Sequence, residues 1–365
     1  MNPIRCGVIG AGWWGTTAHL PALRDHPRAS VAAIQTADPA DAARIARDFN
    51  VPAAFTSADE LLATTELDAV VISSTANCHY PQALAALRRG LHVLVEKPMT
   101  LTFAQARHLE ALARERGLHL LISAPWHYTA HNVAAQRLIA DGALGTVKLI
   151  SVLMTNFTLG LYQGKPWDEA FGQVASRETP ERPYVAPRIN SYSDPAIAGG
   201  GHLYSQASHI GAYLSFLTGA VPSDVYCRLD HGDTAIDIYD ALNIRMSNGA
   251  LVSVATTGAT MLTERQYEVR VYGTRGMALL DLWRGTMAHH DDQGNVTQHD
   301  PLPADDIYPM FAPTRNLIDL VAGVAVNGSP GSHGVAAMGM IEAAYESARA
   351  GTNVTVPWDA PGGST

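Results

Sequence analysis

Three glycines in the order Gly10-x-Gly12-x-x-Gly15, with Trp13 and Trp14 between them, and a lysine in Glu96-Lys97-Pro98 carry the plainest chemistry in this chain. A glycine turn of that spacing, set between an apolar strand and a helix, is built to approach a pyrophosphate. Gly10 permits the tight turn, Gly12 lets the backbone come close to the phosphates, and Gly15 lets helix pack on strand. The helix N-terminus then faces the anion. The acid expected about 20 positions further on, for the adenosine ribose, is missing: the chain reads Gln35-Thr36-Ala37-Asp38, with Thr36 in its place. A hydroxyl there neither repels a 2′-phosphate nor strongly selects a free ribose. No Arg follows within the turn, and Asp38 and Asp41 weigh against NADP, so the expected cofactor is NAD(P) with a lean to NAD.

These residues need strand, turn and helix in that order, and the first third of the chain repeats the pattern. An apolar run at 4–9 leads into the glycines and then into a helical stretch carrying Ala18, Leu20, Ala22 and Leu23. Further runs at 31–34, 69–72, 92–95 and 118–123 alternate with helical segments, one opened by Asp38-Pro39 and others closed by Gly90 and Gly117. Short apolar strands separated by helices predict a doubly wound parallel sheet, an α/β Rossmann domain over residues 1–123. Lys97 then stands just past the carboxyl end of a strand, where the ligands of open α/β sheets bind, and Pro98 biases it toward extended backbone.

From Ala124 the pattern changes. A helix over 130–141 is followed by strand-like segments at 147–155, 225–229, 237–246, 250–258, 267–272 and 277–282. Turns at Asn248-Gly249, Gly273 to Gly276 and Gln293-Gly294-Asn295 make these strands antiparallel neighbours. The expectation is an α+β domain over 124–365 with a mostly antiparallel sheet. The stretch 163–201 is proline-rich and aperiodic, well beyond the roughly 12–15 residues at which an unstructured loop becomes unusual, and such loops are generally functional. The tail after Gly351 reads as a loose end. His289-His290-Asp291-Asp292 has metal-ligand residue types but borders a Gly-Asn turn and reads as a solvated hairpin tip, so no metal is expected.

Composition narrows the partners. The formal charge is −9 with 16% charged residues and no basic run, which excludes a nucleic-acid or anionic-membrane surface. No apolar run approaches the roughly 20 residues of a membrane helix. Cys6, Cys78 and Cys227 are far apart, suiting a reducing compartment, and no leader pattern precedes the first strand. The expected setting is cytoplasmic.

The glycine turn, Glu96-Lys97-Pro98, the segment Ser73-Ser74-Thr75 to His79, and Gly199-Gly200-Gly201 followed by His209 together resemble the Gfo/Idh/MocA family of glucose–fructose oxidoreductases and inositol dehydrogenases, over nearly the whole chain. The resemblance implies an N-terminal Rossmann domain and a C-terminal domain with a large open sheet, often used for homo-oligomerisation as dimer or tetramer. It also implies NAD(P)-dependent oxidation or reduction of a sugar, glycoside or cyclitol carbinol. Ser74, Thr75, Asn77, His79, Glu96 and Lys97 then join Gly10, Gly12, Trp13, Trp14, Gly15 and Thr36 as cofactor-binding positions. Lys97 takes the catalytic role of positioning the substrate hydroxyl and relaying its proton. The family usually has an Asp four residues before the His; here the pair is Ser205 and His209. On a helix these share a face, with His202 a turn back. His209 suits a general base near neutral pH, while Ser205 can donate and accept but carries no charge.

After the last strand of the first domain come Trp126, His127 and Tyr128, whose rings and polar tips suit sugar faces. Asn156, Arg188 and Tyr192 complete the expected substrate side, with Trp167 and Tyr184 of the long loop as further candidates. Two rival activities fit the same fold: an NAD-dependent glycosidase working by transient oxidation, and a non-catalytic cofactor-binding sensor.

Overall fold

The computed structural model describes residues 2–171, 182–261 and 264–359. The predicted runs fold as β1 (Ile4–Ile9), β2 (Ala29–Gln35), β4 (Ala69–Ile72), β5 (His92–Val95) and β6 (Leu120–Ile122), joined by a short β3 (Ala53–Phe55) that carried no sequence signal. They form one parallel sheet in the order β3-β2-β1-β4-β5-β6. All four residues of β4 are buried, as expected of a strand covered on both faces. Helix starts follow side-chain chemistry. Asp38 accepts from the amides of Ala40 and Asp41 ahead of helix Pro39–Asp48, and Thr102 caps helix Phe103–Glu115. The helix after the glycines is short and opens as a π-helical turn over Gly15–His19.

The second sheet holds β7 (Val147–Thr155), β8 (Pro222–Asp230), β9 (Tyr239–Met246), β10 (Leu251–Thr257), β11 (Gln266–Gly273), β12 (Gly276–Asp281), β13 (Thr286–Asp291), β14 (Val296–Gln298) and β15 (Val354–Thr355). Its order is β14-β13-β12-β11-β7-β10-β9-β8-β15. Strands β9 and β10 alternate exposed and buried residues, the pattern of a sheet with one wet face. Helices Ser208–Thr218 and Gly331–Ala350 cover the buried face. The other face leaves Leu149, Tyr239 and Leu251 exposed.

The second sheet is mostly antiparallel, as expected, with β7 and β10 pairing in parallel, Leu149 against Leu251, across a long excursion of chain. Three expectations change. The stretch 163–201 carries short helices at Trp167–Phe171 and Pro195–Ala198, while residues 172–181 of it lie outside the described residues. The tail is tied down as far as Trp358, where β15 pairs with β8 and the Trp358 indole N–H donates to the Pro222 carbonyl at 2.6 Å, while residues 360–365 lie outside the described residues. His289, His290 and Asp291 belong to β13, and only Asp292 begins the turn. Helix Ala312–Val321 packs back on the parallel sheet, burying Leu317 and Ile318 against Val8, Leu94 and Leu121.

Among the described residues no helix is long and apolar enough to cross a membrane, and no group of three or more His, Cys, Asp or Glu is placed to hold a metal ion. All three cysteines are free.

Candidate functional site

The carboxyl ends of β1, β2, β4, β5 and β6 open onto one crevice of about 880 Å³ between the two sheets. A topological switch point lies there, where β1 has β2 on one side and β4 on the other. Gly10, Gly12, Trp13, Trp14, Thr36, Ser74, Thr75, His79, Glu96 and Lys97 line it from the Rossmann side.

The glycines divide their labour as their surroundings require. Gly10 has φ +84° and would place a Cβ 2.2 Å from the Ser74 amide nitrogen, so the turn is closed to other residues. Around Gly12 nothing stands within 4 Å of a Cβ position, which leaves a bare stretch of backbone facing the crevice. Gly15 lies outside the crevice lining and packs on Gly10 and Ser73. That cradle fits a pyrophosphate. Gln35, unremarked in the sequence, holds the turn: its Oε1 accepts from the Gly10 amide at 3.1 Å, and its Nε2 donates to the Thr56 carbonyl. At the ribose end Thr36, Asp38 and Asp41 line the crevice together. Arg44, three residues beyond, is tied to Asp41 at 2.6 Å and stacks over Tyr184.

Lys97 joins the two halves. Its Nζ donates to the Ser205 carbonyl at 2.8 Å, and the Lys97–Pro98 bond is cis. Burial lowers the Lys97 pKa, which the neighbouring Glu96 partly offsets. Burial pushes the Glu96 carboxyl up, but hydrogen bonding and charge from His19, with Lys97, outweigh it and hold the carboxyl below its ordinary value. His79 bridges the carbonyls of Ser74 and Pro98, fixing the two loops beside each other. His209 is buried, and desolvation together with the Lys97 charge and His127 holds its imidazole well below the usual range, hence neutral.

From the second domain Trp126, Asn156, Arg188, Tyr192, Ser205 and His209 line the same crevice. Trp126 stands edge-on to His209 with ring centroids 5.1 Å apart. Asn156 donates to Gln206, and Tyr192 packs against Trp13 of the glycine turn. Like Gly15, the expected residues Asn77, His127 and Tyr128 do not line the crevice, nor do the loop candidates Trp167 and Tyr184. His127 points away from Trp126 on the same 3-10 turn and stacks on Phe216 at 4.5 Å, and Tyr128 is hydrogen-bonded to Asn316 and Ser329. Consecutive residues of a tight helix cannot share a face. Asn77 is exposed, its Oδ1 accepting from Thr75.

The aromatic wall was only half legible in the sequence. Trp283 and Tyr308 flank Trp126 with centroids 4.9 and 4.7 Å away, and the Arg265 guanidinium lies 3.5 Å over the Trp283 ring. Tyr162 also reaches the site, hydrogen-bonded to the Ser205 hydroxyl and, at 3.2 Å, to His202 Nδ1. Their signal is tertiary, since all four lie on segments with no motif.

Residues 4–123 match the family model described as the GFO/IDH/MocA oxidoreductase family, NAD-binding Rossmann fold, and residues 132–279 match its C-terminal domain. An uncharacterized oxidoreductase of Synechocystis sp. is 33% identical over 216 residues, covering 59% of this chain and 52% of that protein. A dTDP-3,4-didehydro-2,6-dideoxy-alpha-D-glucose 3-reductase of Streptomyces antibioticus is 38% identical over 153 residues, 42% of this chain and 46% of that one. The matched segments thus span about half the length of these relatives. Among solved structures, an oxidoreductase domain protein from Kribbella flavida has a TM-score of 0.81 at 19% identity, over 98% of this chain and 100% of that one. A levoglucosan dehydrogenase in complex with NADH and levoglucosan has a TM-score of 0.78 at 20% identity, with the same coverages. These two are likenesses of fold.

Proposed function

This chain belongs to the Gfo/Idh/MocA family of oxidoreductases and carries its NAD-binding Rossmann domain, and from that premise we propose that it transfers a hydride between a nicotinamide dinucleotide and a secondary hydroxyl, or the matching ketone, of a sugar, glycoside or cyclitol. The observation that carries the reading is the meeting of Lys97 with Ser205 at 2.8 Å in the crevice that also holds the glycine turn and His209. The turn at Gly10 and Gly12, with Thr36, Ser74, Thr75 and Glu96, would hold the dinucleotide, which when bound supplies the hydride acceptor. Asp38 and Asp41 beyond Thr36 disfavour a 2′-phosphate by charge, so NAD is the preferred form.

In the oxidative direction His209, kept neutral by its burial, accepts the proton of the substrate hydroxyl. Lys97 donates a hydrogen bond to the same oxygen and stabilises the charge that develops as the hydride departs. Trp126, Trp283 and Tyr308 offer flat apolar surfaces for a sugar ring, and Arg188 and Arg265 favour a polar or anionic substituent. The sugar-acting names among the relatives support the substrate class. The exposed Leu149, Tyr239 and Leu251 support self-association through the open sheet, and the three free thiols suit a cytoplasmic setting.

A panel of sugars, inositols and glycosides, assayed with NAD and with NADP for net reduced nicotinamide, tests the reading. At least one compound should be oxidised, with NAD preferred, and Lys97→Met should lower turnover by about 10²–10⁴-fold while cofactor affinity stays within about twofold. Near-normal turnover in Lys97→Met, or no oxidised compound, refutes it.

A further inference from the structure

With cofactor and substrate filling the crevice, a proton taken from the substrate hydroxyl needs a path to solvent. A line of hydrogen-bonding groups leads inward from the site. The Ser205 hydroxyl meets the Tyr162 hydroxyl, which reaches His202 Nδ1 at 3.2 Å, and His202 Nε2 lies 2.6 Å from Thr256 Oγ1. Thr256 on β10 stands directly opposite Asp240 on β9. Both oxygens of that carboxyl are buried without a hydrogen-bond partner. Asp240 in turn lines a second cavity, of about 1140 Å³, together with Asp230, His231, Glu342 and Glu346. A buried carboxyl left without a hydrogen-bond partner is costly, and such a group calls for an explanation. Room for the line is reserved at Gly258, where a Cβ would stand 2.4 Å from the Tyr162 ring and 3.1 Å from His202 Nδ1.

We propose that Ser205, Tyr162, His202 and Thr256 form a proton relay joining the catalytic crevice to Asp240 and, through it, to the second cavity. The proposal deepens the dehydrogenase reading and rests on it. Each of the four carries a single movable proton, so the transfer balances without any change of oxidation state. Ser205, which lines the crevice with His209 but is not hydrogen-bonded to it at rest, receives the proton that His209 took from the substrate and gives its own to the Tyr162 oxygen. Tyr162 passes its proton to His202 Nδ1 and His202 releases the one on Nε2 to Thr256. No hydrogen bond joins Thr256 to Asp240 at rest, so the Thr256 hydroxyl must turn toward the carboxyl it faces across the strand pair before it hands its proton to one oxygen of Asp240. The other oxygen of Asp240 releases a proton toward the second cavity, and reduction runs the line in reverse. The groups are matched to this task. Burial brings His202 down to about 3, so its ring stays neutral and amphoteric. Burial and the nearby Asp237 raise Asp240 to about 9, so it rests protonated at neutral pH, able to accept on one oxygen and donate from the other. Asp237 itself is committed elsewhere, accepting from the amides of Gly201 and Leu203 and from the Tyr345 hydroxyl.

The test is a stopped-flow single turnover of the full chain with NAD and a compound oxidised in the panel, following reduced nicotinamide and, with a pH-indicator dye in weak buffer, the released proton. In the native protein the two signals should coincide. In Thr256→Val and Asp240→Asn the proton should trail the reduced nicotinamide by about tenfold or more in time, and Thr256→Ser, which keeps the hydroxyl, should close the gap. Asp240→Asn preserves shape, so a folding failure of Thr256→Val leaves the question answerable. Coincident signals in both variants overturn the relay and leave the dehydrogenase standing. A native protein that oxidises nothing in the panel overturns both.

Discussion

Replacing Gly10 and Gly12 by alanine, one at a time, separates the glycine that builds the turn from the glycine that meets the ligand. At Gly10 the new Cβ meets backbone, 2.2 Å from the Ser74 nitrogen and 2.4 Å from its Cα, at φ +84°. The left-handed conformation costs an L-residue about 1–2 kcal/mol, and an overpacked contact that only backbone movement can relieve costs about 1–3 more. The loss of about 2–5 kcal/mol belongs to the unliganded protein. With an unfolding entropy near 2.1 cal/mol/K per residue over 365 residues, it lowers the melting temperature by about 3–7 °C if the chain unfolds as one unit. At Gly12 nothing lies within 4 Å and φ is not positive, so alanine leaves the unliganded stability unchanged or higher by about 0.5–1 kcal/mol. Its methyl instead occupies the space a pyrophosphate would use. A cost of about 1–3 kcal/mol there weakens NAD binding about 5- to 150-fold. Calorimetry of the unliganded variants and NAD titration followed by the fluorescence of Trp13 and Trp14 read both quantities. A Gly12→Ala protein that melts as early as Gly10→Ala, or that binds NAD like the native chain, refutes the reasoning.

Acidification should unfold the protein by way of its buried histidines. His202 is held at about 3 and His333 at about 4 by burial, and His127 and His209 lie well below 6.5. Below pH 6.5 the unfolded chain takes up protons that these rings refuse, so their stabilisation is whole above 6.5 and falls by about 1.4 kcal/mol per ring per pH unit beneath it. The free ring is half protonated at 6.5, so the loss over the first unit is about 1 kcal/mol per ring, and Asp240, raised to about 9, works in the opposite sense, leaving roughly 3 kcal/mol lost between pH 6.5 and 5.5. Urea unfolding at both pH values measures this, His333→Asn should flatten the slope by about a third, and a flat profile in the native protein would sink the account. On the open sheet, Leu251→Lys places a charge beside Leu149 on the proposed self-association face. If the native chain self-associates there, light scattering should show a smaller species for the variant at unchanged melting temperature, and an unchanged mass excludes that face.

The sequence by itself determined what short-range physics controls. Alternating apolar runs and helices specify the parallel sheet, because a strand buried on both faces must be apolar throughout and a helix must follow before the next parallel strand. The glycine turn and Lys97 were legible for the same reason, since turn chemistry and strand ends fix them within a few residues. The pairing of β7 with β10 was not, because residues 156–250 separate the two strands and only the packed sheet brings them together. The direction of neighbouring side chains was also beyond reach: Trp126 lines the crevice while His127, next to it, stacks in the core. Trp283, Tyr308 and Arg265 close the aromatic side of the crevice from segments without motifs. Tyr162 meets Ser205 and His202 across 40 or more residues of chain. A reacting site is assembled by contacts distant in sequence, and local pattern carries no record of which distant segment fills the remaining space.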